Sequence, residues 1–371
     1  MDKPLYILSP CGTSLLTNLA SAQHRKLIAE NGNAKNPEDV AQEDRAILED
    51  LLQEAEKVLL ESNILKAGEL SAELNSIIRV YDGKLEAKGD FHQLLCTDTW
   101  LGESTGRLIE KWLKKYEFVV DLKRQQDLQT TDLESFQFAM AEIVIWCEEV
   151  LQLYRKNYRI IFNLTGGFKS VQGFLQTLAS FYADETVYTF ERTNTLLRIP
   201  RLPIEMTAFG VIADNLQFFR CVNLGGAVAA APENLPETLL LQIDGEQTLS
   251  PWGELIWRQN KKKLYSRKIY PSPLDSIKYG KHFLKSVEGL SSDRIAQVNE
   301  KIDVLCRMWL KTGRKNEWNP GSLDFKKLKG NPVPPSTHEC DAWSDGDAKR
   351  IFIHIEDDTV LVLDKLGNAL H

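Results

Sequence analysis

Apolar residues in this chain recur in two rhythms that alternate along its first 200 positions. Short apolar runs at Leu5-Tyr6-Ile7-Leu8 and Arg159-Ile160-Ile161-Phe162 predict buried strands, Phe91 to Cys96 is another apolar run, and Phe118 to Leu122 reads as a further strand. Between them the spacing turns helical. Leu48, Leu51, Leu52, Ala55, Val58 and Leu59 predict two helices within residues 38–80. A helix follows from about Glu103 to Tyr116. A long one over Leu133 to Tyr154 carries a stripe of Phe136, Met140, Ile143, Trp146 and Val150 that reads as core. Another spans Val171 to Tyr182, with Val171, Phe174, Leu175, Leu178 and Phe181 on one face. Thr186 to Phe190 and Leu196 to Ile199 close the series, with Arg192 to Thr195 as their turn. Strand and helix in alternation predict an open α/β sheet.

The pattern changes after residue 200. Ile204 to Cys221 reads as helix, and Leu239 to Gln242 and Thr248-Leu249 as a hairpin about Asp244-Gly245. Ser250 and Pro251 suit the N-cap and first position of a further helix. Helix, hairpin and helix in about 60 residues is the size of a winged helix. From residue 266, Leu274 to Lys285 and Ser292 to Lys311 read as helices, and Asn319 to Gly330 as a polar, basic loop. Strands follow at Thr337 to Trp343, Lys349 to Ile355 and Thr359 to Asp364, turned at Asp345-Gly346 and Asp357-Asp358. The expected units are residues 1–200, 201–265 and 266–371, the last of α+β type.

Composition changes this picture in two places. With 43% hydrophobic and 26% charged residues, the 371-residue chain is of ordinary globular type. Its six cysteines, at 11, 96, 147, 221, 306 and 340, include no close pair, which argues against a zinc ribbon or disulfide frame and suits a reducing cytoplasm. Neither a secretory leader nor a membrane-spanning run is legible. The net charge of −7 is uneven, since residues 256–330 carry 18 Lys and Arg against 7 Asp and Glu. A basic segment in an acidic chain suits a polyanionic partner, although a solvated basic face, as read for Lys261-Lys262-Lys263, gives the same count.

Chemistry concentrates where strands meet helices. Asn163-Leu164-Thr165-Gly166-Gly167-Phe168-Lys169-Ser170 joins a strand to a helix. Two glycines allow a sharp turn and close ligand approach, and the helix N-terminus with the Lys169 ammonium suits a phosphate. A plain βα turn would use the same glycine pair. Ser9-Pro10-Cys11-Gly12-Thr13-Ser14 is a second such junction, whose Thr13 and Ser14 hydroxyls suit phosphate or ribose. Ser14 also suits a helix N-cap. Thr97-Asp98-Thr99 is a third, with Asp98 read as a cap or loop residue rather than an acid–base group. Ligands of open α/β sheets bind beyond the carboxyl ends of the strands. Neither GxGxxG nor GxxxxGK[ST] occurs, which argues against an ordinary dinucleotide or ATP site.

On the Pro10-Cys11-Gly12-Thr13-Ser14 and Leu164-Thr165-Gly166-Gly167-Phe168-Lys169-Ser170 loops, residues 1–200 resemble the CRISPR-associated Rossmann-fold (CARF) sensors. That resemblance implies a homodimer binding a cyclic oligoadenylate, with cyclic tetra-adenylate first, through Gly12, Thr13, Ser14, Thr97, Asp98, Thr165, Gly166, Gly167, Phe168, Lys169 and Ser170. It also implies that Ser14 and Lys169 could align a ribose 2′-OH for slow ring cleavage. Leu323-Asp324-Phe325-Lys326-Lys327-Leu328-Lys329-Gly330, Lys349-Arg350-Ile351-Phe352-Ile353-His354-Ile355, Val360-Leu361-Val362-Leu363 and the terminal His371 make residues 266–371 similar to RelE-type mRNA interferases. The whole chain thus resembles the CARF–RelE family: a Rossmann-like α/β sensor, a winged helix and an α+β RelE-like unit, acting in the cytoplasm on mRNA at the bacterial ribosome.

The implied chemistry needs no metal and no cofactor. A 2′-OH attacks the next phosphate, which calls for a base, an acid and cations. Arg350 would grip the phosphate, with Lys329 as a further cation. His338 and Glu339 match positions of base or cationic residues, and His371 matches the last catalytic position. His338 and Glu339 face opposite ways on a strand, and His338 is taken as the one that reaches RNA. Relatives with two lysines there differ from the His338-Glu339-Cys340-Asp341 of this chain. His354 reads as structural. Nuclease alternatives fare worse, because no Arg-x4–6-His pair or carboxylate–lysine cluster is present. The remaining alternative is a winged-helix transcription regulator gated by the same ring.

Overall fold

The computed structural model describes residues 3–129, 131–190, 195–203, 208–225, 231–243, 245–312, 321, 323–330, 332–357 and 359–370. The chain divides into two compact units, Met1–Glu205 and Met206–His371.

In the first unit, β1 (Leu5–Cys11), β2 (Phe91–Cys96), β3 (Val119–Arg124), β4 (Arg159–Asn163) and β5 (Glu185–Thr189) run parallel, and β6 (Leu196–Pro200) runs antiparallel to β5. The sheet order is β3-β2-β1-β4-β5-β6. It reverses between β1 and β4, which makes the ends of those two strands the switch point where open α/β sheets bind ligands. Tyr6, Ile7 and Leu8 of β1 and Ile160, Ile161 and Phe162 of β4 are buried, as continuous apolar runs in parallel strands require.

Helices α1 (Ser14–Leu19), α2 (Ala22–Glu30), α3 (Gln42–Glu61), α4 (Ile64–Leu70) and α5 (Ala72–Val80) follow β1. Three helices, not two, occupy residues 42–80. Asn63 and Ser71 each accept a backbone N–H three residues on, and these caps divide what periodicity alone runs together. Next come α6 (Trp100–Lys114) and α7 (Leu133–Trp146). The latter passes through a π-helical turn, Cys147–Leu151, into α8 (Gln152–Tyr154), and α9 (Lys169–Tyr182) follows β4. Of the stripe expected as core on α7, Met140 and Ile143 are buried, while Phe136 and Trp146 are half-buried, as is Val150 on the π-helical turn. The expected turn residues 192–194 lie outside the described residues.

In the second unit, residues 204–221 do not form one helix. Residues 204–207 lie outside the described set, and α10 (Phe209–Asp214) and α11 (Leu216–Asn223) are separated at Asn215. The hairpin β7 (Leu240–Ile243) and β8 (Glu246–Leu249) leads to α12 (Pro251–Tyr265), capped by Ser250, whose hydroxyl accepts from Gly253 N–H at 3.2 Å. Segment 274–285 is a correction: it holds a short strand, β9 (Ile277–Tyr279), and the start of α13 (Phe283–Ser286) rather than a helix. After α14 (Ser292–Thr312) come β10 (Lys326–Lys327), β11 (His338–Trp343), β12 (Lys349–Glu356) and β13 (Val360–Asn368). Their sheet order is β10-β11-β12-β13-β9, with β9 parallel to β13 and the others antiparallel.

One face of this sheet, with Cys340, Ala342, Ile351, Ile353 and Leu363, shares a core with Val298, Ile302, Leu305 and Cys306 of α14. The α10–α12 segment joins α14 through a buried ion pair, with Arg220 Nη2 2.6 Å from Asp303 Oδ1. Tyr265 donates its hydroxyl to the same carboxylate.

Candidate functional site

At the first switch-point loop, β1 runs through Pro10 and Cys11, and Gly12 and Thr13 lead directly into α1. Ser14 is therefore the first helical residue and not the cap; Thr13 stands at the cap position without a side-chain cap bond. Opposite, Leu164 to Phe168 joins β4 to α9. The two loops touch backbone to backbone. A methyl on Gly12 would lie 3.2 Å from Gly167 Cα, and Gly167 holds a φ of +89° that side chains rarely adopt. Gln172 of α9 fixes the second loop by donating its amide to Gly166 O at 2.8 Å. Thr165 is tied to the sheet, since its hydroxyl accepts from Thr189 N–H at 3.0 Å. Phe168 is half-buried, and Lys169 and Ser170 stand exposed at the start of α9. The first-turn N–H groups there are those a helix leaves without internal acceptors.

Beneath both loops lies a residue that sequence reasoning missed. Glu73, in the first turn of α5, is 0% exposed. Its Oε1 accepts from Gly12 N–H at 2.9 Å, and its Oε2 accepts from the hydroxyls of Ser14 and Ser71, each at 2.7 Å. The N–H of Gly12, one of the expected ring-binding residues, is thus already engaged within the fold. Gly166 is glycine for a steric reason, because an added Cβ would sit 2.2 Å from Glu73 Oε1. No local pattern links Glu73 to loops some 60 and 90 positions away. The acidic residue after a Ser cap signals only a helix start.

The third loop is bound internally. Thr99, not Asp98, caps α6, and Thr97 Oγ1 lies 2.9 Å from Thr99 Oγ1. Asp98 meets Arg124 at 2.8 Å and Lys35 at 3.0 Å, and accepts from Asp127 N–H. Burial alone would raise its carboxyl; the Asp127 N–H and the two cations outweigh that and hold it below the usual carboxylate range.

In the second unit, Lys326, Lys327, Lys329, Glu339 and Arg350 line one cleft of about 460 Å³, walled by Leu328, Pro332, Ala369 and Leu370. Strand geometry explains the grouping. Asp341 pairs with Arg350 and Glu339 with Phe352, so all four point to the sheet face opposite α14. Gly367 lies across from Arg350 on β13 and brings no side chain over it. The Arg350 side chain is 11% exposed and held by carboxylates, with Asp324 at 2.7 Å, Asp341 at 3.0 Å and Glu339 at 4.0 Å. Asp324 holds an unusual φ of +41° while binding both Arg350 and Lys326, and Lys326 first, then Arg350, lowers its carboxyl. Glu339 is 7% exposed on its side chain, and its Oε2 is buried without a hydrogen-bond partner among the described residues.

His338 takes the other face. Its ring stacks on Phe325 at 5.2 Å, and burial, then Lys327, lowers its pKa. Of the two neighbours on β11 it is Glu339, rather than the expected His338, that lines the cleft with Arg350. His354 bonds Asp364 at 2.8 Å and lies 3.3 Å from Glu356. His371 lies outside the described residues. Among the described residues no group of three His, Cys, Asp or Glu side chains could hold a metal ion, and no helix is long and apolar enough to cross a membrane.

Residues 68–202 match the model of a family described as CRISPR-associated protein (Cas_APE2256). The matched stretch contains Glu73 and the Thr165–Ser170 loop but not the β1–α1 loop. A comparison with curated proteins finds no match.

Proposed function

We propose that the chain is a ring-nucleotide-gated ribonuclease of the CARF–RelE kind. In this reading the first unit, as a homodimer, binds a cyclic oligoadenylate, with cyclic tetra-adenylate first, and the second unit then cuts mRNA on the bacterial ribosome without a metal. The observation that carries it is the contact of two glycine loops at the β1/β4 switch point, one of them inside the segment matched to a CRISPR-associated family. Ring symmetry suits such a pair of loops presented twice across a dimer axis. Lys169 and the first-turn N–H groups of α9 would meet phosphate, and Phe168 offers a ring for a base.

The cleft of the second unit supports the nuclease half. Arg350 would hold the scissile phosphate and stabilise its extra negative charge in the transition state. Glu339, rather than His338, would take the 2′-OH proton, since it lines the cleft with Arg350 and its Oε2 has no hydrogen-bond partner among the described residues. Lys326, paired across from Glu339, and Lys329 would hold flanking phosphates, and His371, next in sequence after Leu370, would protonate the leaving 5′-oxygen. RNA must displace Asp324 from Arg350. The ring can favour the cutting state only by binding it more tightly than the resting one.

The test is a translation reaction with the protein, with and without each cyclic oligoadenylate, in which mRNA 5′ and 3′ ends are mapped. New ends inside coding sequence, dependent on one ring and carrying a 5′-hydroxyl as 2′-OH attack requires, are expected. An unchanged end map with every ring, or new ends carrying a 5′-phosphate, refutes the reading.

A further inference from the structure

The cleft of the second unit already holds an anion of its own. Lys326 Nζ of β10 and Arg350 Nη2 of β12 both meet one oxygen, Asp324 Oδ2, at 2.9 and 2.7 Å. An ammonium and a guanidinium converging on one oxygen form the arrangement that holds a phosphate oxygen. Arg350 also meets Asp341 at 3.0 Å and Glu339 at 4.0 Å, and Lys326 meets Glu339 at 3.8 Å. Two cations thus stand among three carboxylates. A phosphate brought to Arg350 with all three in place meets more negative charge than positive.

The three carboxylates differ in how readily they can yield. Glu339 and Asp341 are fixed on β11, with side chains 7% and 21% exposed. Asp324 lies outside the strands, and its side chain is 43% exposed. Its neighbours Leu323 and Phe325 are buried in the core of the unit, and Leu323 O accepts from Asp341 N–H at 2.8 Å. The Asp324 carboxylate can therefore turn out to solvent while the backbone stays fastened. Asp324 O, which accepts from Arg350 Nη1 at 3.4 Å, keeps the guanidinium in place when it does.

We propose that Asp324 is an autoinhibitory latch: its carboxylate occupies the place of a substrate phosphate between Lys326 and Arg350 and keeps single-stranded RNA out of the cleft until it is displaced. The inference rests on the RNA-cutting reading of this cleft given above. The exchange makes and breaks no covalent bond. A phosphodiester oxygen takes the two cations, and the carboxylate passes to water. Because the latch belongs to the same chain, RNA competes with an anion that is always present at the site. Cleavage without the ring is thereby held down at the binding step, by a contact within the second unit.

The experiment uses the full chain without any ring. Binding of a 2′-O-methyl single-stranded RNA, which 2′-OH attack cannot cut, is measured by fluorescence anisotropy, and cleavage is measured on ribosome-bound mRNA. Asp324 holds a φ of +41°, which asparagine and glycine also adopt, so Asp324→Asn removes the charge and leaves the backbone as it is. That variant should bind RNA at least about tenfold more tightly and raise ring-free kcat/KM by a similar factor, through KM. In an Arg350→Ala background the same substitution should gain less than about threefold in affinity, because the cation it would free is gone. An aspartate that merely adds negative charge to the cleft would give equal gains in both backgrounds. One that orients Arg350 for catalysis would lower kcat when replaced. Either result, or an unchanged affinity, overturns the latch. Tighter RNA binding by Asp324→Asn with no cleavage under any ring overturns the nuclease reading and leaves the latch standing on RNA binding. Should Asp324→Asn fail to fold, Asp324→Gly decides by the same measurements.

Discussion

Gly166 has room for a hydrogen and nothing more, because the Glu73 carboxylate fills the space where a side chain would begin. Gly166→Ala should push the two loops apart and weaken ring binding at least about tenfold, read by calorimetry; an unchanged affinity would remove this contact from the site. Lys169→Ala should abolish ring-dependent activation while basal cleavage by the second unit persists. Arg350→Ala should slow cleavage about 100-fold or more, measured as turnover on ribosome-bound mRNA, if the guanidinium meets the scissile phosphate. His92 provides a test by pH. It is fully buried, and burial lowers its pKa to about 3. Below about pH 6.5 the unfolded chain binds a proton that the fold refuses, so acid weakens the first unit progressively between those values. His92→Asn should flatten that slope in denaturant midpoints taken across the range.

At the scale of elements, what periodicity carries is what could be read. The apolar runs of β1, β2 and β4 were legible because interior parallel strands are buried on both faces, whereas β3, at the sheet edge, sets exposed Val119 and Asp121 about buried Val120. The Ser250-Pro251 start of α12 was legible because cap chemistry is local, and Ser250→Ala should cost about 1 kcal/mol in unfolding free energy. Strand β9 was not legible. Three residues are too few to show a period, and Ile277–Tyr279 is a strand only because β13 lies beside it. The sites divide in the same way. The glycine loops announced themselves by composition, whereas Glu73 and the Asp324–Arg350 clamp are products of folding, joining residues far apart in the chain. The choice between His338 and Glu339 was a question of which strand face is open, and that depends on where α14 packs.

For the whole molecule, the sequence reads as three units, 1–200, 201–265 and 266–371, with a basic stretch over 256–330, and the fold divides into two compact units, Met1–Glu205 and Met206–His371. Ionic strength offers a check on the second unit. If the lysines of the cleft hold RNA, cleavage of ribosome-bound mRNA should fall steeply as salt is raised at saturating ring, while calorimetric ring binding to the intact chain falls less.

The Arg220–Asp303 pair has a mechanical consequence. Removing either partner while the fold stays closed would leave a buried charge unpaired, which costs several kcal/mol. Among the described residues, α11, α12 and α14 are therefore fastened into one block through Arg220, Tyr265 and Asp303. A heat scan should find that block melting in a single step, and Asp303→Ala should split it in two.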